Sequence, residues 1–196
     1  MTKRLMACGA FAAAILLMVP SKSSAQFTVD HFGPADQVYD FVNYGAHGAD
    51  EFGASSYECA NIYVFHNQDP VACGACFISP NGSISLDLHT NILAAPVTGV
   101  TPTNGVIKVV YTQYTTNFCD PTAVTAPSVG LKTFRLGPAA ANELELADNL
   151  TLSAAELAHL NLTCSEIVGV LSGSTNITCG SSTDSHPSSV RNNNVK

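Results

Sequence analysis

The sequence predicts a mainly β, sandwich-like single domain, stapled by disulfides and carrying one C-terminal helix. Three observations predict it. Short runs of alternating or β-branched residues are separated by Gly, Pro, Asn and Ser clusters, with no helical pattern between them. An even set of cysteines follows an export signal. A single helical periodicity lies close to the C-terminus.

Residues 1–25 read as a secretory signal peptide and stand outside the fold. Lys3 and Arg4 give a positive start, Ala7 to Val19 is an apolar run of 13 residues, and Ser23-Ser24-Ala25 follows the helix-breaking Pro20 as a small-residue cleavage site. Thirteen residues fall short of the roughly 20 that span a bilayer, and no later stretch is apolar enough to predict a transmembrane segment. Leu5-Met6-Ala7-Cys8 is no lipidation box, because it precedes the apolar run instead of ending it. The mature chain is expected to begin at Gln26, and residues 26–179 to form one secreted β-rich domain.

The strands follow in order. Phe27 to Phe32 and Val38 to Tyr44 are short candidates. Cys59 to Phe65 is rich in β-branched and aromatic residues, which fits a deeply buried strand. In Ser83 to Leu88 strict alternation puts Ile84, Leu86 and Leu88 on one face, and Pro80-Asn81-Gly82 supplies the turn before it. Asn104-Gly105 opens Val106 to Tyr111; Leu131 to Leu136 and Glu143 to Leu146 complete the set. Short strands at this spacing suggest an Ig-like sandwich. Ser153 with Glu156 forms a capping box, after which Leu157, Leu160, Cys164, Ile167 and Leu171 recur at helical spacing, with Gly169 or Gly173 ending the helix. From Gly180 to Lys196 Ser, Asn, Thr and Pro dominate, the composition of a disordered tail.

Charge excludes one class of partner. Past the signal the chain carries all 15 acids against Lys108, Lys132, Arg135, Arg191 and Lys196, a net charge of −10. Five scattered cations make no phosphate-binding footprint, so no nucleic acid is expected.

Cys59, Cys73, Cys76, Cys119, Cys164 and Cys179 are the disulfide candidates, and six cysteines permit 15 pairings. The short loop between Cys164 and Cys179 favours that pair, with Cys59 bonded to Cys73 or Cys76. Cys73-Gly74-Ala75-Cys76 is also the sharpest chemical motif, because a C-x-x-C pair can hold a low-pKa thiolate beside its resolving partner. A redox pair opens a helix after a strand, and Pro80 cuts off any helix here. Zinc would want a second close pair of ligands, and Cys59 and Cys119 are isolated. Structural disulfides are the expectation.

Cys59-Ala60-Asn61-Ile62-Tyr63-Val64-Phe65, Cys73-Gly74-Ala75-Cys76, Pro80-Asn81-Gly82, and Leu152-Ser153-Ala154-Ala155-Glu156-Leu157 before Cys164 resemble a group of uncharacterised secreted bacterial proteins. The likeness covers roughly residues 55 to 180. In that group the cysteines often form a Cys-Cys-x-Cys cluster, whereas Gly74 stands here. The resemblance implies export, a bacterial source and one compact domain, and it brings no activity.

The remaining candidates have plainer readings. Six histidines, His31, His47, His66, His89, His159 and His186, show no pairing at i+2 or i+4. His47 with Asp50 and Glu51 lies in a glycine-rich loop without the alternating acids of a calcium loop. Neither metal nor other cofactor is expected. Gly169 to Gly173 mis-spaces a serine-hydrolase elbow around Ser172. Glu143 and Glu145 share a strand face opposite Leu144 and Leu146, as ordinary amphipathic patterning requires. Four glycosylation sequons, at Asn81, Asn149, Asn161 and Asn176, carry no assigned role. The function expected is that of a secreted or cell-surface, non-catalytic structural or binding domain whose partner is an extracellular ligand or protein. The alternatives are an envelope thiol-disulfide oxidoreductase using Cys73 and Cys76, and a self-assembling subunit that pairs through a strand such as Phe27 to Phe32.

Overall fold

Cys-Ala-Asn-Ile-Tyr-Val-Phe is a run that only a strand covered on both faces can accommodate, and the computed structural model shows it so covered. Residues 27–35, 37–43, 57–80, 82–113, 119–124, 131–136, 143–146, 150, 152–171 and 175–179 are described. They contain β1 (Phe27–Phe32), β2 (Val38–Asn43), β3 (Glu58–His66), β4 (Asp69–Ile78), β5 (Ser83–Asp87), β6 (Gly105–Gln113), β7 (Leu131–Leu136), β8 (Glu143–Glu145) and α1 (Ala154–Val170). A single π-helical turn, Leu88–Ile92, follows β5 and is capped by the Asp87 carboxylate, which accepts from the amides of His89 and Thr90.

The strands form two antiparallel four-stranded sheets, ordered β1-β6-β3-β4 and β5-β2-β7-β8. This is not the ABED/CFG order of immunoglobulin domains, so the likeness is one of architecture. Between the sheets Tyr39, Phe41, Ile84 and Leu86 meet Ala60, Ile62, Val64, Ile107, Val109 and Tyr111 in one core. Each set lies at alternate positions of its strands, as period-2 side-chain geometry demands. The opposite face of the first sheet, with Phe27, Tyr63, Phe65, Cys73 and Val110, packs on Leu160, Cys164 and Ile167 of α1. Three layers result, and β3 lies in the middle one. Fully burying each Val, Leu, Ile or Phe among them contributes about 1.5–3 kcal/mol.

Polar groups join the two sheets. Thr28 of β1, Tyr111 of β6 and Thr133 of β7 share a buried hydroxyl network. Asp30 of β1 receives Arg135 Nη1 at 2.9 Å and the Tyr39 hydroxyl at 2.9 Å. Burial first, and then the Asp30 carboxylate, push the Tyr39 hydroxyl well above the ordinary tyrosine range. At the N-terminal end of α1, Ser153 caps the Glu156 amide, and Glu156 itself pairs with Lys108 at 2.5 Å.

Several sequence expectations need correction. β4 was not anticipated as a strand, because its cysteine, glycine and alanine run is buried on both faces and gives no alternation. Its hairpin with β3 turns through Asn67 and Gln68, both at positive φ (50° and 73°), without the Asn-Gly that normally marks such a turn. Leu144 is 50% exposed, since β8 is the outer strand of its sheet. Leu157, expected to open the buried stripe of the helix, is half-buried and lies at the edge of that contact. α1 runs one residue past Gly169, to Val170. Residues 1–26, Tyr44 and 180–196 lie outside the described residues, and with them the signal-peptide and tail expectations.

Candidate functional site

Cys73 and Cys76 sit three residues apart on a strand, and an odd separation on a period-2 element sends two side chains to opposite faces. Cys73 points to α1 and bonds Cys164, with the Cα atoms 5.6 Å apart. Cys76 points into the core between the sheets and bonds Cys179 across 5.5 Å. The third bridge joins Cys59 to Cys119 across 5.7 Å. All six cysteines among the described residues are thereby paired, and the C-x-x-C motif does not close on itself.

Both expected pairings are overturned. Cys164 lies on the face of α1 that covers one side of the sheet, while Cys179 follows a strap, 175–179, that reaches the sheet's other side. Their short sequence separation therefore does not bring them together. Cys59 stands opposite Phe77 in the β3–β4 register, Cys73 opposite Tyr63 and Cys76 opposite Ala60, so neither β4 cysteine is the cross-strand neighbour of Cys59.

The strap is held by more than its bridge. Asn176, 7% exposed, accepts from the Cys73 amide at 2.9 Å and donates to the carbonyls of Val71 at 3.0 Å and Ala95 at 2.9 Å. Its side-chain amide thus occupies the place of a neighbouring strand on the open edge of β4. Val97 adds an amide to the same Val71 carbonyl, and Thr178 N–H bonds Asn91 C=O. Ile177 lies over Gly74, where a Cβ would fall 2.7 Å from the Ile177 Cβ, so only glycine admits the strap so close. Asn161 on α1 repeats the device, exchanging two hydrogen bonds with the backbone of Val124.

These contacts give two of the sequons a structural role. Both donors of the Asn176 amide are used within a buried site, and the Asn161 amide donates to Val124, so a glycan on either nitrogen would displace the packing around it. Asn81 and Asn149 lie outside the described residues. An edge-capping amide leaves no periodic signal, so in the sequence Asn176 reads only as a sequon and Gly74 only as part of the C-x-x-C motif.

The histidines are dispersed. His31 is exposed on β1, His66 Nδ1 lies 2.8 Å from the Asn104 carbonyl, His89 belongs to the π-helical turn, and His159, exposed on α1, stacks on Phe65. Among the described residues no three His, Cys, Asp or Glu side chains gather as metal ligands. His47, Asp50, Glu51, Ser172 and His186 lie outside them. Glu145 is exposed on β8. Buried Tyr63 donates to the Pro121 carbonyl at 2.8 Å, and burial, aided by Asp120, raises its hydroxyl far above the usual range. The backbone amide of Thr90 is the main cause holding the Asp87 carboxyl below its usual value. No described helix is long and apolar enough to cross a membrane.

No protein-family model, no curated protein and no solved structure matches the chain.

Proposed function

We propose that the protein is a secreted or cell-surface structural or binding module that acts without catalysis. The observation that carries this reading is the use of all six mature cysteines in three long-range bridges, with Cys73 and Cys76 turned to opposite faces of β4. A dithiol catalyst needs its attacking and resolving sulfurs side by side, and this strand separates them. Bridges spanning 60, 91 and 103 residues restrict the unfolded chain by about 4–5 kcal/mol each in the chain-entropy picture. The second and third loops nearly coincide, so their joint effect is smaller than the sum. Such stapling suits a module that must persist where no chaperone or reductant attends it.

Thiol labelling tests the reading. The folded, unreduced protein is expected to resist alkylation, and the denatured, reduced protein to take label at all six mature cysteines. Selective labelling of Cys73 or Cys76 in the folded protein after mild reduction, with turnover of a model disulfide, would overturn it. Export is tested by the N-terminus of protein recovered outside the cytoplasm, expected at or near Gln26. An intact Met1 there would refute it.

A further inference from the structure

Packing compels a glycine at the start of β6. A Cβ on Gly105 would collide with the Phe65 carbonyl oxygen and fall 2.6 Å from the Phe32 ring. The residue before it is under no such constraint: Asn104 is exposed, and among the described residues no group bonds its side-chain amide. An Asn-Gly pair therefore stands at the surface. Its glycine nitrogen has no side chain of its own to hinder approach to the asparagine amide carbon.

What singles this pair out is His66. Its Nδ1 lies 2.8 Å from the Asn104 carbonyl, and a carbonyl only accepts, so Nδ1 carries a proton and donates. Nε2 lies 3.0 Å from the Asn67 amide nitrogen, a donor, so Nε2 accepts and the ring is neutral. The bond from His66 thus falls on the oxygen of the very peptide group whose nitrogen belongs to Gly105. Drawing charge onto that oxygen acidifies the Gly105 N–H and stabilises the anion left when the proton goes. Gly105 stands opposite Phe32 in the last rung of the β1–β6 ladder, so fraying of one rung frees the nitrogen.

We propose that Asn104 is a self-modifying site, converted to isoaspartate with His66 as the activating donor. The Gly105 nitrogen, its proton passed to solvent, bonds the side-chain amide carbon of Asn104, and the amide nitrogen leaves as ammonia. Water then adds to the former main-chain carbonyl of the five-membered imide and breaks its bond to the Gly105 nitrogen, leaving a free α-carboxylate. One water is consumed and one ammonia released per conversion, with no oxidant or reductant. His66 serves both steps, because the carbonyl it polarises is also the one that water attacks. The carboxylate formed there is a stronger acceptor for Nδ1–H than the carbonyl it replaces. The backbone path gains one carbon ahead of β6, and the surface one negative charge.

Incubation of the purified, oxidised protein at neutral pH, followed by peptide mapping and isoaspartate-specific enzymatic methylation, reads the conversion. Asn81-Gly82 is the internal comparison, being the other Asn-Gly pair of the chain, with its Gly82 amide bonded to the Ser79 carbonyl at 2.9 Å. In the folded protein Asn104 is expected to convert several-fold faster than Asn81, with isoaspartate the main product. In the denatured, reduced protein the two rates are expected to be closely similar. His66→Ala is expected to slow Asn104 by about two- to tenfold, the factor that one hydrogen bond of ordinary net strength represents, and to leave Asn81 unchanged. His66→Gln keeps an N–H donor and is expected to restore part of the rate. If His66→Ala fails to fold, the ratio of the two pairs in the wild type decides. An Asn104 that converts no faster than Asn81 in the folded protein, the same ratio folded and denatured, or a rate kept or raised in folded His66→Ala overturns the inference.

Discussion

Replacing Asn176 with Ala removes three hydrogen bonds at once, but the structure shows that they differ in value. The Val71 carbonyl keeps the amide of Val97 at 2.9 Å, and Ala95 is exposed, so water can replace the donor there. The Cys73 amide has no such substitute, because Cys73 is fully buried and the Asn176 oxygen is what it donates to. An orphaned buried donor costs about 1–3 kcal/mol, and the other two bonds add a fraction of the roughly 0.5–1.5 kcal/mol typical of each. The expected loss is about 2–4 kcal/mol. Asn176→Asp is the informative companion, since it keeps the acceptor for Cys73 but turns a second oxygen toward the Val71 and Ala95 carbonyls. Denaturant titration with the bridges intact measures both losses, and hydrogen exchange at the Cys73 amide localises them. Because Cys76–Cys179 still tethers the strap, exchange is expected to quicken at Cys73 in Asn176→Ala well before the rest of β3 and β6 open. A loss below about 0.5 kcal/mol, or an unchanged Cys73 amide, would refute the edge-capping role.

Three further outcomes are expected. Gly74→Ala is destabilising by about 1–3 kcal/mol through the clash with Ile177, and Ile177→Gly relieves part of that penalty where Ile177→Ala does not, because the clash is with the Ile177 Cβ; a double-mutant cycle measures the difference. Leu160→Ala costs about 2–5 kcal/mol in a denaturant titration, and Leu157→Ala clearly less, since Leu160 is fully buried and Leu157 half-buried; equal losses would contradict the docking of α1. The lowered Asp87 carboxyl stabilises the fold above the unfolded-state value, a contribution lost as pH falls through the folded one. Asp87→Asn is therefore less stable than the wild type at neutral pH, and the gap closes as the pH falls from about 4. A gap independent of pH in acid melts would count against this.

Much of this was legible in the sequence because it depends on local order. The alternation of Ile84 and Leu86, the β-branched run at β3, and the Ser153–Glu156 cap each report an element through its own neighbours in the chain. The even cysteine set likewise announced bridges. What the sequence could not supply was which residues meet across the layers. β4 lacks alternation because α1 covers one of its faces and the second sheet the other, so the pattern that betrays a half-buried strand is erased by tertiary cover. Pairing among the cysteines followed strand parity and the path of the strap, and both override separation along the chain: Cys164 and Cys179 are near in sequence yet bond β4 from opposite sides, at Cys73 and Cys76. Composition and periodicity determine which segments become strands or helix and that they are stapled. The partner of each staple, and the amide that closes the β4 edge, are decided by where the folded backbone brings its faces together.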